Sequence, residues 1–395
     1  MSMKDYYSQS IELHKKHGGK IATATKVPLE TRDDLSIAYS PGVAAVCKEI
    51  AQDSQKAKEL TIKKNTIAIV SDGSAILGIG NLGAKAAIPV MEGKAALLKA
   101  FADVDAFPIC LDTQDPEEII ETVKRIAPVF GGINLEDIAA PQCFEIEERL
   151  KKELDIPVMH DDQHGTAIVT LAGLINALKL RNSQKEDVKI VVNGAGSAGV
   201  AITKMLLTFG LKNVLVSDSK GAIYEGRKTL SGEKEKLATM TNLACRIDID
   251  DPRCAIGGLE KIIQGADVFI GVSKGGLLTK EMVQSMAKDP IIFALANPEP
   301  EIMPDDAKEA GAFVVATGRS DFPNQINNVL AFPGLFRGVL DAGAKSFTEE
   351  MFVLVAESIA SHVEKPRRDK VVPDALDKTV AQVVAEAVKK VCKTK

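Results

Sequence analysis

The chain has 395 residues, 45% of them hydrophobic and 26% charged, which is ordinary for a globular protein and long enough for two domains and a substantial core. A net charge of −5 with scattered basic residues excludes a nucleic-acid-binding face, no apolar run approaches the ~18 residues of a spanning helix, and the start, MSMKDYYSQS, lacks the apolar core of a signal peptide. The six cysteines (Cys47, Cys110, Cys143, Cys245, Cys254, Cys392) show no CxxC spacing and no pairing logic, so a reduced, cytoplasmic chain is expected.

Taken in order, residues 4–16 read as a helix stopped by the glycines at 18 and 19. The turn Tyr39-Ser40-Pro41-Gly42 opens a second helix near Val43 and leaves Tyr39 on a loop. Thr66 to Val70 is a strand. The glycines after it (Gly78, Gly80, Gly83) spell GxGxxG, but Pro89 argues against an uninterrupted helix starting there. They therefore read as a tight turn that lets backbone approach closely, not as a dinucleotide site. The helix expected after Pro89 carries Lys94 among small neighbours, Gly93, Ala95 and Ala96.

Gly132 to Gly165 is the most chemically loaded stretch. Glu136 and Asp137 lie side by side in INLEDIAAP. A helix (Phe144 to Leu154) and a short buried strand (Ile156 to Met159) then lead to Asp161 and Asp162 in HDDQHGT. Carboxylates at the ends of neighbouring elements can converge. Converging without a cation they repel, so they hold a divalent ion, and an all-oxygen set suits Mg²⁺ or Mn²⁺.

A second GxGxxG is of a different kind. The apolar strand Val188 to Val192 runs into Asn193-Gly194-Ala195-Gly196-Ser197-Ala198-Gly199, a helix follows (Val200 to Phe209), and the next strand (Val214 to Ser217) ends at Asp218, 19 residues after Gly199. Strand, glycine turn, helix, strand and acid in this order are the signature of a dinucleotide site, with Gly194, Gly196, Ser197, Ala198 and Gly199 at the pyrophosphate and Asp218 at the ribose. Further strands at 265–273, 290–298 and 313–319 place Ser273, Asn297 and Gly318 at carboxyl ends, where ligands of such sheets bind. From Ala331 the tail is helical, with amphipathic runs at 347–363 and 379–391.

Together AYSPGVA, GIGNLG, PVMEGKAALLK, NLEDIAAP, HDDQHGTA, NGAGSAG, ALANP and NQINNVLAFPG resemble the malic enzymes, in particular the short bacterial form, over nearly the whole chain. The resemblance implies an α/β fold. An N-terminal substrate and metal domain is expected over residues 1–160. A nucleotide domain follows over 161–395, with a Rossmann-type doubly wound parallel sheet at about 186–330 and a helical tail at 331–395. It implies oxidation of L-malate by a nicotinamide cofactor with loss of CO₂ to give pyruvate. Glu136, Asp137 and Asp162 would ligate Mg²⁺ or Mn²⁺, with Asp161 beside them in a catalytic role. Lys94 would be the general base, held neutral by burial and nearby cations, and Tyr39 the general acid. Asn297 and one or both of Asn327 and Asn328 would contact substrate or nicotinamide. A homodimer is expected, with NAD favoured by Asp218 and NADP open to it through Lys220.

Two departures stand out. Longer malic enzymes place an Arg where this chain has Ala75, which leaves Arg319 as a candidate partner for a malate carboxylate, and Asn81 stands where they have Asp. An oxaloacetate decarboxylase and a non-catalytic nucleotide sensor are the competing readings.

Overall fold

The computed structural model describes residues 5–251 and 253–393; Lys4, expected in the first helix, lies outside them. Two parallel sheets form the frame. The first contains β1 (Thr66–Ser71), β2 (Asp105–Cys110), β3 (Gly132–Leu135) and β4 (Val158–His160), in the order β2-β1-β3-β4. The second contains β5 (Lys189–Asn193), β6 (Asn213–Asp218), β7 (Gly221–Ala222), β8 (Val268–Gly271), β9 (Ile291–Ala294) and β10 (Val314–Thr317), in the order β10-β9-β8-β5-β6-β7. This is the doubly wound dinucleotide-binding order, except that the short strand β7 runs antiparallel to β6. Each sheet reverses its winding once, at β1/β3 and at β5/β8. Helices cover both faces, so the central strands are buried along almost their whole length, which is why they read as continuous apolar runs.

One helix joins the two halves. Asp161–Arg181 begins directly at the end of β4 and buries fourteen of its residues against the Ser197–Thr208 and Glu349–His362 helices and the rest of the largest core. Its Asn176 amide donates to the carbonyls of Ala360 and Val371, both at 2.9 Å, fixing the C-terminal segment to it. The expected terminal helices are present as Phe332–Ala342, Glu349–His362 and Thr379–Lys393.

Two expectations fail. The helix after the first glycine turn starts at Ala84, not after Pro89, and runs unbroken to Ala102. A proline six residues in removes one intrahelical bond, and the burial of Ala87, Met91, Ala95 and Leu98 carries the helix through it. The cysteines do have a pairing: Cys245 and Cys254 form a disulfide. The Asn242 side chain explains it, because its amide accepts from Ala255 N (3.0 Å) and donates to Ala255 O (2.7 Å), folding the loop back on itself. Among the described residues of the segment before β1, none is buried. The helices Tyr6–His17, Arg32–Ala38 and Val43–Gln52 have no buried residue, and Tyr6, Tyr7, Ile37 and Tyr39 are all exposed.

Candidate active site and nucleotide cavity

The acidic site forms at the carboxyl ends of β1, β3 and β4. Glu136 and Asp137 follow β3, and Asp161 and Asp162 occupy the first turn of the long helix, where its dipole favours negative charge. Ligand oxygens of Glu136, Asp137 and Asp162 lie within 4.8 Å of one another. Each is aimed by a donor: Asn134 Nδ2 to Glu136 Oε2 at 2.9 Å, Leu77 N to Asp137 Oδ1 at 3.2 Å, and Asp137 N to Asp162 Oδ2 at 2.9 Å. Leu77 and Asp137 both have positive φ, at 44° and 54°, an unusual conformation for residues with side chains and one concentrated at functional sites. The first glycine turn is part of this wall. A Cβ on Gly78 would sit 3.1 Å from the Asn297 carbonyl oxygen, so the turn brings backbone close, as its sequence suggested.

Lys94 projects into the cluster. Its ammonium lies 3.0 Å from Glu136 Oε1, in hydrogen-bond contact with Asp161, and 4.4 Å above the Phe332 ring. Asn328 Nδ2 donates to Asp161 Oδ2 at 3.1 Å, and the Asn328 carbonyl accepts from Thr166 at 3.1 Å. Burial alone would lower the Lys94 pKa, but the charges of Asp161, Glu136 and Asp162 together raise it well above the ordinary value, so these acids favour the ammonium over the neutral amine expected. In turn the carboxyls are pushed up, Asp137 to about 7, first by burial and then by Asp162, and Glu136 well above its usual range for the same reasons. Asp137 Oδ2 and Asp161 Oδ1 are buried with no hydrogen-bond partner. An all-carboxylate set with an orphaned oxygen fits a hard divalent cation.

Not every predicted residue arrives. Tyr39 caps the Arg32–Ala38 helix and is 69% exposed, away from these contacts. Asn327 accepts from Val329 N and lines a separate cavity with Arg367 and Lys370. Arg319 is engaged by Asp321 at 2.7 and 2.9 Å and by the Pro298 carbonyl. Asn297 lies against Gly318, as the strand-end rule placed it. Sequence reasoning missed Glu147, a buried acid that accepts from His160 N, Gln163 and His164 and pairs with Lys151, and so props the turn carrying Asp161 and Asp162. Its carboxyl is pushed up by burial, but His164 and Lys151 outweigh that and hold it well below the usual range. The signal was present in the spacing of FEIEERL, where Glu147, alone of its three glutamates, falls on the buried face with Cys143, Ile146 and Leu150.

The nucleotide cavity, about 1100 Å³, opens at the β5/β8 switch point. Gly194, Gly196, Asp218, Ser273 and Lys234 line it, with Ala140, Pro141 and Phe144 from the acidic half forming the facing wall. The glycines divide the work. A Cβ on Gly199 would fall 1.8 Å from the Gly194 carbonyl oxygen, so that contact requires glycine, whereas Gly196 faces open space where a pyrophosphate can approach. Ser197 and Ala198 begin the helix whose N-terminus faces the cavity. Ser273 is fixed from both sides: its hydroxyl accepts from Asn193 Nδ2 at 3.0 Å, and its N–H donates to buried Glu301. Glycine turn, helix N-terminus and terminal acid fit a dinucleotide.

The family profile described as "Malic enzyme, N-terminal domain" matches residues 18–151, and "Malic enzyme, NAD binding domain" matches 163–394. The chain belongs to the malic enzyme family. It is 57% identical to the bifunctional malic/malolactic enzyme of Bacillus subtilis (99% of this chain, 93% of that one). It is 56% identical to the NAD-dependent malic enzyme of Geobacillus stearothermophilus (94% of this chain, 76% of that one). The crystal structure of the NAD-dependent malic enzyme from Thermotoga maritima superposes with a TM-score of 0.91 at 50% identity, covering 96% of this chain and 98% of that one. As a member of this family the chain is an oxidoreductase with an NAD-binding domain.

Proposed function

We propose that this malic enzyme oxidatively decarboxylates L-malate to pyruvate and CO₂ while reducing a nicotinamide nucleotide. One observation carries the reading: the segment that directly follows Glu136 and Asp137 supplies Ala140, Pro141 and Phe144 to the lining of the dinucleotide cavity, while Glu136 itself holds Lys94 at 3.0 Å. Glu136, Asp137 and Asp162 would hold Mg²⁺ or Mn²⁺, which would supply a Lewis acid for the substrate oxygens, and a nicotinamide nucleotide held along Gly194, Gly196 and Ser273 would supply the hydride acceptor.

The remaining chemistry falls to the chain. Lys94 holds a proton at Nζ and stands where it can exchange one with the substrate hydroxyl. Asp161 and Asn328 fix its position, and the surrounding carboxylates set when the proton leaves. Asn297, between the Gly78 turn and Gly318, is our candidate contact for substrate or nicotinamide. Ser273, anchored by Asn193 and Glu301, faces the nucleotide. We assign residues 1–160 to the substrate and metal domain and 161–395 to the nucleotide domain. Tyr39 remains the candidate acid for C3. Its exposure on an arm that buries nothing supports a homodimer in which a second copy covers the arm and receives Tyr39. Among the described residues no helix is long and apolar enough to cross a membrane, and we place the enzyme in the cytoplasm.

The test follows reduced nucleotide and pyruvate together with L-malate and Mn²⁺. Equal rates of both are expected. Pyruvate from oxaloacetate without any malate-driven reduction would move the reading to a simple decarboxylase.

A further inference from the structure

A line of hydrogen bonds runs along the nucleotide cavity, across the carboxyl ends of four neighbouring strands. Ser217, in β6, donates its hydroxyl to Asn193 Oδ1 at 2.8 Å, and Asn193 Nδ2, in β5, donates to the Ser273 hydroxyl at 3.0 Å. Just past β8, Ser273 N donates to Glu301 Oε1 at 3.0 Å. Just past β9, Ala296 N donates to Glu301 Oε2 at 3.1 Å. The strands stand side by side in the order β9-β8-β5-β6, so the line links each to the next. Both ends of it adjoin the cleft: Asp218 follows Ser217, and Asn297 follows Ala296.

Glu301 is the one charged member of the line. It is fully buried, and among the described residues no cation lies in contact with it. Burial holds its carboxyl above the usual range, opposed by the N–H groups of Ser273 and Ala296. A buried carboxylate without a cation lowers stability, and a residue that only filled this space would be apolar. The fold nevertheless makes room for it, since a Cβ on Gly271 would fall 2.3 Å from the Glu301 carboxyl carbon. Its chemistry suits the place. Both partners are N–H donors, so an acceptor is required on each side, which a carboxylate supplies and an amide does not. The backbone serves the same wall: Glu301 O accepts from Leu278 N at 2.9 Å and Pro300 O from Gly276 N at 3.1 Å, closing the loop whose Ser273, Lys274 and Leu277 line the cavity.

We propose that Glu301 is a positioning residue that fixes the spacing of Ser273 and Asn297, and so holds the nicotinamide half of the dinucleotide in place for hydride transfer. Being buried, it reaches neither ligand itself. By clamping the ends of β8 and β9 together it sets where those two exposed side chains stand. The adenine half belongs to the glycine turn after β5 and to Asp218 at the end of β6, away from the clamp. This rests on the proposed reading of the cavity, with the nicotinamide directed to Ser273 and Asn297.

The test compares NADH with ADP, which lacks the nicotinamide half, by calorimetric titration of the full chain as wild type, Glu301→Gln and Glu301→Asp. Glutamine keeps the volume but turns an NH₂ group towards one of the two N–H donors. Aspartate keeps the charge but is one methylene too short to reach both. Each variant should weaken NADH about tenfold, the effect of one buried donor left unpaired, and leave ADP within about twofold. With L-malate, Mn²⁺ and saturating NAD, each should also lower kcat, because the misplacement persists once the nucleotide is bound. Equal weakening of NADH and ADP makes Glu301 a general prop of the fold, and unchanged NADH affinity makes it dispensable. Either result overturns the proposal while the dinucleotide reading stands. Wild type that binds neither probe sinks both together.

Discussion

The two charged ends of the active cleft are built on opposite principles. At the acidic end, Glu136, Asp137, Asp161 and Asp162 crowd around a single ammonium, Lys94, and burial strips away the water that would soften their repulsion. At the ribose end a single carboxylate, Asp218, faces two cations. The first is short of positive charge and the second has it in excess. The difference teaches that a family motif identifies a ligand class, while the partners of its residues decide the charge that the ligand must bring.

The largest effect should come from the acidic end. Chelation should abolish turnover and Mn²⁺ should restore it. Asp162→Asn keeps an acceptor for Asp137 N but removes a charge, and should lose about 10³-fold or more in kcat at any Mn²⁺ concentration. Full turnover in a metal-stripped wild type would dissolve the contrast between the two ends. Next is the single cation of that end. Lys94→Ala should lower malate oxidation about 10²–10⁴-fold, whereas Lys94→Arg restores the charge without a removable proton and should not recover the rate. Recovery by arginine would mean that Lys94 serves only to balance charge.

Metal-free stability tests the same charges without chemistry. Asp137 titrates near 7 in the folded chain and near 4 when unfolded, so between those values the native state binds more protons. Stability of the metal-free protein should therefore fall as pH rises from about 4 to 7, the penalty being complete above 7, and Mn²⁺ should raise Tm most at the upper end. A metal-free Tm that climbs steadily through this window contradicts the uncompensated cluster. Smallest in scale, the two glycine turns should part. Gly196→Ala meets nothing within 4 Å and should leave Tm unchanged while weakening nucleotide about tenfold. Gly80→Ala, at φ 107°, should cost about 1–2 kcal/mol of stability and leave nucleotide affinity alone.

Those turns also show where sequence is informative. Both spell GxGxxG and both lead into a helix, but only the second follows its strand directly and is followed by a strand that ends in an acid, and only it lines the nucleotide cavity. The proline argument used along the way was nonetheless wrong, because core burial outweighed one lost hydrogen bond. The convergence of Glu136, Asp137 and Asp162 was legible since each ends an element of one parallel sheet. What stayed hidden was pairing at a distance. Nothing local announces that Arg227 and Lys234 close on Asp218, that Glu147 braces the HDDQH turn, or that Asn242 draws Cys245 towards Cys254. The pull that favours a proton on Lys94 was hidden for the same reason: it comes from acids 42 and 67 positions away.

The arm before β1 has a consequence for how the enzyme lives in solution. A segment whose described residues bury no side chain in their own chain contributes little to that chain's folding free energy. If a second copy covers it, occupancy of the arm obeys mass action. Specific activity would then fall on dilution below the dissociation constant, long before the body of the protein melts, and two inactive variants, one lacking Tyr39 and one lacking Lys94, would regain part of their activity when mixed.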